Sequence, residues 1–235
     1  MFSPRRWARG SVELLDDPAS DAGTVLASLG DVTRINFFLG GRHAALERLE
    51  GMFRGERAGA TLSLLDVGTG LGDIPTAAAR RARSRGLALR LVGLERHAAA
   101  ARAARGHGLL ALVADGGRLP FADRSVDYVL CSQLLHHFAG DPAERLVREL
   151  DRVARRGVVI ADLRRSVLAA AGFFLASFAL RVRPVTRRDG VISVFRGFSA
   201  PELANLCRAA GVEPDVRRHP LFRLTAAWRP AGSAP

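Results

Sequence analysis

Apolar residues recur every three or four positions between residues 21 and 54, which predicts helices in this part of the chain. The first helix carries this spacing at Val25, Leu26, Leu29, Val32 and Ile35. Gly40-Gly41 interrupts the pattern, and a second helix is predicted to run to Arg54. Residues 1–20 are polar and interrupted by proline, so we expect them to be loosely structured.

From residue 61 the pattern changes to short apolar runs that alternate with helical segments. We predict strands at 61–67, 88–94, 109–114, 126–132 and 157–162, separated by helices at 73–85, 97–105 and 141–154. Such alternation is typical of a parallel sheet with helices on both faces. An apolar helix at 166–180 and a helix at 199–210 follow. Two closing strands, 212–218 and 221–228, are predicted to pair in antiparallel fashion.

These elements predict an N-terminal helical cap, residues 1–58, and an α/β domain, residues 59–235, with an insert at about 164–198.

The first strand of the domain runs directly into Gly68-Thr69-Gly70-Leu71-Gly72, and a helix follows. Glycine serves where the backbone turns tightly or where a ligand approaches main-chain atoms. The spacing G-x-G-x-G differs from the dinucleotide fingerprint G-x-G-x-x-G, and the chain has no lysine for a phosphate loop. Asp66 and Asp73 bracket the loop with negative charge, which favours a cationic ligand.

This segment resembles motif I of the class I S-adenosylmethionine-dependent methyltransferases, D/E-x-G-x-G-x-G. Leu91–Glu95 resembles the family's ribose-binding strand, which ends in an acid, and Ala114-Asp115-Gly116 resembles its adenine-binding motif. Residues 119–129, LPFADRSVDYV, resemble a stretch of the type 11 methyltransferases of the ubiquinone/menaquinone branch. Four elements in register, over roughly residues 31–228, make the resemblance specific.

The resemblance implies a Rossmann-like class I methyltransferase fold: a mostly parallel seven-stranded sheet with an antiparallel last strand and helices on both faces. It implies S-adenosyl-L-methionine as the cofactor. In this sequence the cofactor-binding positions are Asp66, Gly68, Thr69, Gly70, Gly72, Asp73, Glu95, Arg96, Asp115, Gly116, Ser132 and Gln133.

His136 and His137 follow the fourth predicted strand, where the acceptor face of such a sheet lies. Imidazole titrates near neutrality, so either histidine is a candidate general base, and we favour His137. An orienting role is the alternative. A metal site is not expected, because no acidic residue lies at ligand spacing on the same turn. The segment also lacks the Asn/Asp-Pro-Pro-aromatic turn of methyltransferases that act on exocyclic amines of nucleic-acid bases.

The predicted cap and the insert are rich in aromatic and branched residues, which suits a flat or apolar acceptor. An alternative is that the helix at 166–180 is simply part of the core. The candidate substrate-binding residues are Phe37, Phe38, Phe174, Phe195 and Arg196. We expect O-methylation, or C-methylation, of a phenolic, quinone-like or polyketide molecule, as in small bacterial methyltransferases of secondary metabolism.

The 235-residue chain has 35 basic and 23 acidic residues, a net charge of +12, and every basic residue is arginine. This charge predicts attraction to anionic surfaces, and we expect a membrane surface or an acidic carrier protein as a partner. An RNA- or protein-modifying methyltransferase and a non-catalytic cofactor-binding protein are the alternative functions; nucleic acid is not favoured, because the arginines are dispersed.

Two cysteines exclude a disulfide framework. No export signal or membrane-spanning run is visible, so we expect a cytoplasmic protein, peripheral at most to a membrane.

Overall fold

The computed structural model describes residues 4–232, and within them seven strands form one sheet. The strands are β1 (Thr61–Val67), β2 (Ala88–Glu95), β3 (Leu110–Val113), β4 (Val126–Ser132), β5 (Ala154–Leu163), β6 (Asp215–His219) and β7 (Arg223–Trp228). They are paired in the order β3-β2-β1-β4-β5-β7-β6, and β7 is antiparallel to both of its neighbours. The predicted sheet, with its antiparallel last strand, is therefore confirmed. Because the other strands are parallel, the ends of β1, β2, β4 and β5 meet at one edge.

Nine α-helices lie within the described residues: α1 (Pro4–Gly10), α2 (Ala22–Phe38), α3 (Gly41–Phe53), α4 (Asp73–Arg83), α5 (Ala98–Gly106), α6 (Asp141–Val153), α7 (Val167–Ala179), α8 (Pro184–Arg196) and α9 (Ala200–Ala209). Most match the predicted helices within a few residues. Helix α8 was not predicted, because its sequence is mainly polar and shows no sustained apolar period. The insert is thus a pair of packed helices. No helix in the described part of the chain is long and apolar enough to cross a membrane.

Strand β4 shows how the sheet separates two cores. Tyr128 and Leu130 face α3 and α4, whereas Val129 and Cys131 face α6 and α9, since alternate residues of a strand point to opposite faces. All seven residues of β4 are buried, as expected for a central parallel strand. Helix α3 packs directly on the sheet through Leu46 and Leu49. The boundary after residue 58 stays a prediction.

The N-terminal segment is ordered around the insert, so the expectation of a loose chain over residues 1–20 is wrong for the described part of that range; residues 1–3 lie outside it. Helix α1 and a 3-10 turn at Leu14–Asp16 lie against α8. The Leu14 amide donates to Asp189 Oδ2 at 2.8 Å, and Ser193 donates to Glu13 at 2.8 Å. Arg196 Nε donates to the Ala8 carbonyl at 3.1 Å. These partners are distant in sequence, so local patterning does not show them.

Candidate active site

The glycine loop after β1 has the backbone conformation that glycine favours. Gly68, Gly70 and Gly72 have φ of 75°, 54° and 79°. At Gly68 a Cβ atom would lie 3.0 Å from the Leu134 side chain. The Gly70 amide donates to Glu95 Oε2 at 2.9 Å, so the end of β2 holds the loop in place. The geometry leaves the main chain of the loop open towards a cavity.

This first cavity has a volume of about 240 Å³ and lies at the ends of β1, β2 and β4. We call it the cofactor cavity. Gly72 does not line it; a Cβ there would lie 3.1 Å from Leu109, so this glycine permits close packing against the loop before β3. The other predicted cofactor-binding positions all line it, namely Asp66, Gly68, Thr69, Gly70, Asp73, Glu95, Arg96, Asp115, Gly116, Ser132 and Gln133.

The cofactor cavity is strongly acidic. Asp66 is buried, and among the described residues its side chain has one hydrogen bond, which Thr69 donates at 2.9 Å. Burial raises the pKa of Asp66 to about 8, and the neighbouring carboxylates of Asp73 and Glu95 contribute to the increase. The pKa of Asp73 is also raised, again mainly by burial. A cationic ligand would stabilise the ionised form of both groups.

Several polar atoms around this cavity are buried and lack a hydrogen-bond partner among residues 4–232. They are Asp66 Oδ1, Asp73 Oδ2, Ser132 Oγ and Gln133 Nε2. Glu95 accepts bonds from the Gly70 and His97 amides and retains lone pairs for further donors. S-adenosylmethionine offers a sulfonium and an ammonium group together with ribose and adenine donors. The residues present therefore fit this cofactor.

A second cavity of about 360 Å³ opens beside the first, and we call it the acceptor cavity. Its wall is mostly apolar and comes from α2, α7, α8 and the β6–β7 turn. Residues that line both cavities mark the junction; they are Leu15, Val32, Asn36, Gln133 and His137. Gln133 has φ of 56°, an uncommon conformation for a residue other than glycine, and such strain is often found at functional sites.

His136 lies at the acceptor cavity and pairs with the buried carboxylate of Asp162 at the end of β5. The distance between His136 Nδ1 and Asp162 Oδ1 is 2.7 Å. Burial alone would raise the pKa of Asp162, but the contact with His136 and the amides of Leu163 and His136 outweigh it and lower the pKa. An ionised Asp162 places the ring proton on Nδ1, which leaves Nε2 as an acceptor. His136 Nε2 is buried and has no hydrogen-bond partner in the part of the chain that the structure describes.

His137 belongs to a different polar cluster. Its Nδ1 lies 2.7 Å from Asp16, and the guanidinium of Arg196 lies 3.0 Å from Asp16 and 2.9 Å from Glu13. Glu13, His136 and His137 place possible metal-ligand atoms within 4.8 Å of one another. Arg196 already supplies a positive charge to the Glu13 carboxylate, so no cation is needed to balance it. The expectation of a site without metal stays a prediction.

None of the five predicted substrate-binding residues lines the acceptor cavity. Phe37, Phe38 and Phe174 are about half exposed and do not line the acceptor cavity, and Phe195 instead packs against Trp7. The reason is the phase of the helices: Ile35 on α2, Leu39 directly after α2, and Phe173 on α7 line the cavity in their place. Arg196 does not line the cavity, but it holds the N-terminal segment against His137.

Sequence reasoning missed Glu13 and Arg223, which line the acceptor cavity, and Asp162, which lies behind His136. Asp162 ends a predicted strand, as Asp66 and Glu95 do, and that position was the available signal. Glu13 gave no signal, since it lies in a segment expected to be loose. Arg223 begins β7, and nothing in its local sequence marks it as buried.

Comparison with known proteins agrees with this geometry. Residues 65–161 match the profile of a family described as a methyltransferase domain, type 11. No curated protein sequence matches the chain. Among solved structures, the chain is similar to an S-adenosylmethionine-dependent methyltransferase from Aquifex aeolicus, with 17% identity, 78% of this chain and 88% of that chain covered, and a TM-score of 0.54.

Two further structures have comparable similarity. A possible histamine N-methyltransferase from Thermotoga maritima has a TM-score of 0.57 at 17% identity, covering 85% of this chain and 95% of that chain. The magnesium protoporphyrin IX methyltransferase from Synechocystis, solved with S-adenosylhomocysteine, has a TM-score of 0.55 at 12% identity, covering 81% and 84%. At these identities the likeness concerns the fold. Residues 65–161 match a type 11 methyltransferase domain, and the residues of the cofactor cavity fit S-adenosylmethionine. The protein is therefore an S-adenosylmethionine-dependent methyltransferase.

Proposed function

We propose that the protein methylates a hydroxyl group of a hydrophobic small molecule, of phenolic, quinone-like or polyketide type, held in the acceptor cavity. The mostly apolar wall supports an acceptor of this size and polarity. The resemblance of residues 119–129 to the ubiquinone/menaquinone branch supports the same class. C-methylation of an activated ring carbon is the second candidate, since it also requires removal of a proton.

The observation that carries the proposal is the pairing of His136 with Asp162. A buried imidazole with Nδ1 on an ionised carboxylate and a free Nε2 has the arrangement of a general base. Our preference for His137, formed from sequence alone, therefore changes to His136. His137 has its Nδ1 on Asp16 and lines both cavities, which suits a positioning role at the junction.

The division of labour between the residues follows from this geometry. The cofactor, when bound, supplies an electrophilic methyl group. Gln133 and Asn36 separate the two cavities and can orient the acceptor oxygen. His136 Nε2 takes the proton of that oxygen, and Asp162 stabilises the imidazolium that results.

The test is a pair of matched variants, His136→Gln and His137→Gln, assayed with alkylphenols, alkylcatechols and hydroquinones. Methylated product is measured by mass spectrometry, and cofactor affinity by calorimetry. We expect His136→Gln to lower kcat by about 10²–10⁴-fold, the usual contribution of a general base, with little change in cofactor affinity. Near-normal turnover by His136→Gln would refute its role. Lack of product from every acceptor, with intact cofactor binding, would favour the non-catalytic alternative.

The outer face of α7 bears on how an apolar acceptor reaches the cavity. Val167, Leu168 and Leu175 are each about 70% exposed, and Phe174 and Phe178 are about half exposed. Ser177, which carries the one hydroxyl group of α7, is fully buried, so it adds no polar group to this exposed face. An exposed apolar face of this kind usually marks an interaction surface. Leu168 also lines the acceptor cavity, so the face adjoins its wall.

An anionic membrane surface is the partner that we propose for this face. The net charge of +12 disfavours pairing of two copies and favours an anionic bilayer. Arg181 is exposed at the end of α7, but Arg165, at its start, is paired with Glu202 at 2.6 Å. Sedimentation with phosphatidylglycerol vesicles should capture the wild-type protein and not Leu175→Glu. Capture of both, or of neither, would contradict this proposal, and a dimer abolished by the same variant would favour self-association.

A further inference from the structure

Arg223 is a buried cation in the wall of the acceptor cavity. It is the first residue of β7, is 4% exposed, and lies beside Leu163 at the end of β5. Its Nε donates to the Leu39 carbonyl at 2.9 Å, and Nη1 donates to Gln133 Oε1 at 3.2 Å. Within residues 4–232 no carboxylate lies within ion-pair distance of it. The guanidinium therefore retains donors without a partner.

A second arginine lines the same side of the cavity. Arg164 directly follows β5, and its guanidinium lies 4.7 Å from the centre of the Phe222 ring. Its Nε is buried without a hydrogen-bond partner, and among the described residues it has no ion pair either. The two arginines come from the neighbouring ends of β5 and β7, where Leu163 pairs with Arg223 and the Arg164 amide donates to the Phe222 carbonyl at 2.9 Å. They form what we call the arginine pair.

The other charged groups of the cavity are arranged differently. Glu13 has Arg196 at 2.9 Å, and Asp189 accepts a bond from the Leu14 amide and lies 3.5 Å from Arg188. The charges on the N-terminal side of the cavity are therefore largely balanced. The arginine pair lies on the opposite side, at the β5–β7 end, and is not balanced in this way.

Burying a guanidinium without an anionic partner is costly, because its hydration is lost. Burial lowers the pKa of Arg223 to about 10, and the charge of Asp162 opposes this only in part. Asp162 already accepts bonds from His136 and Leu163. A ligand that brings its own negative charge would supply the missing partner, and guanidinium groups bind carboxylates with two parallel hydrogen bonds.

We infer that the acceptor carries a carboxylate, which the arginine pair binds. Its apolar body lies against Ile35, Phe173 and Val194, which line the rest of the cavity. An aromatic hydroxy acid with an alkyl chain has these features. The inference rests on the proposed function, since it specifies the acceptor of the same site. It assigns Arg223 the role of a specificity-determining residue, and Arg164 that of a second donor to the same carboxylate.

The test compares two probes that differ only in the carboxylate, 6-pentylsalicylate and 3-pentylphenol. Calorimetry with S-adenosylhomocysteine present measures binding independently of turnover. We expect the wild-type protein to bind the salicylate about tenfold or more tightly than the phenol, the effect of one charge-assisted contact. Arg223→Gln should abolish this preference and leave phenol affinity nearly unchanged. Arg164→Gln should reduce the preference.

Arg48→Gln is the matched control, because Arg48 is similarly buried but has a carboxylate partner, Asp215, at 3.0 Å. It should keep the preference. Equal binding of the two probes by the wild-type protein would overturn the inference, and so would a preference that survives in Arg223→Gln. If Arg223→Gln does not fold, the ratio of salicylate to phenol affinity in the wild-type protein and in Arg164→Gln still tests the inference. Preferential binding without methylation would refute the proposed O-methylation alone, whereas methylation of phenols without preference would refute this inference alone.

Discussion

Replacement of Asp162 by asparagine tests the proposed base through its partner. The Asp162 side chain is fully buried and accepts three hydrogen bonds, from His136 Nδ1 at 2.7 Å, the His136 amide at 3.0 Å and the Leu163 amide at 2.7 Å. Asparagine has one oxygen and one NH₂ group, so it cannot accept all three. Either the NH₂ group faces the His136 amide, or it faces Nδ1 and drives the ring proton to Nε2. In both cases the negative charge is lost.

The magnitude follows from these contacts. Loss of the tautomer and of imidazolium stabilisation should remove most of the general-base contribution, about 10²–10⁴-fold in kcat. This corresponds to about 2.7–5.5 kcal/mol of transition-state stabilisation. The buried bond that is lost should also lower the free energy of unfolding by about 1–3 kcal/mol. Cofactor affinity should change little, because Asp162 does not line the cofactor cavity.

The assay combines kcat for any acceptor that the wild-type protein turns over, cofactor affinity by calorimetry, and thermal unfolding. Asp127→Asn is the control. Asp127 is also a buried aspartate, but it lies at the start of β4, away from both cavities, and accepts hydrogen bonds from Ser63 on β1. It should lose stability and keep its kcat. A folded Asp162→Asn variant with a kcat close to that of the wild-type protein would refute the reasoning about His136.

Three further predictions concern the two cavities. Gly70→Val should abolish cofactor binding in a folded protein, because Gly70 has φ of 54° and the added side chain would stand beside Leu29 in the cofactor cavity that both residues line; unchanged affinity by calorimetry would contradict this. Because the pKa of Asp66 is raised to about 8, cofactor affinity should rise with pH by roughly tenfold per unit between pH 6 and 8, and Asp66→Asn should flatten the profile. The unfolded chain ionises this group at lower pH, so the stability of the ligand-free protein should fall over the same range. Phe173→Ala should lower the free energy of unfolding by about 3–5 kcal/mol and raise the acceptor KM, whereas Phe174→Ala, at a half-exposed position outside the cavity, should do neither; equal effects in both assays would refute this assignment.

Local sequence signals were strongest at the cofactor cavity. Strands β1 and β4 are mostly apolar runs, and the glycines after β1 have a conformation that few other residues adopt. Acids at strand ends, such as Asp66 and Glu95, must reach one edge of a parallel sheet. Short segments at the ends of β1, β2, β3 and β4 therefore build most of this cavity, and the order of the strands brings these segments together.

The acceptor cavity depended on contacts that sequence patterning does not contain. Leu14 meets Asp189, and His136 meets Asp162, only after the sheet and the insert have packed. A polar segment such as residues 13–16 looks loose by composition, yet it is ordered by partners on α8. The choice between His136 and His137 likewise depended on which histidine lies beside a buried carboxylate.

The sequence by itself determined the sheet and the glycine loop, because both depend on short-range spacing and on backbone conformation. The identity of the cofactor followed from the resemblance of these motifs to those of the methyltransferase family. Only the tertiary structure decided which face of an apolar helix is buried. On α7 the phase of the helix turns Phe173 into the acceptor cavity and leaves Phe174 partly in solvent. It also decided that Arg223 is buried without a carboxylate, since burial and charge balance depend on every element that packs around a side chain.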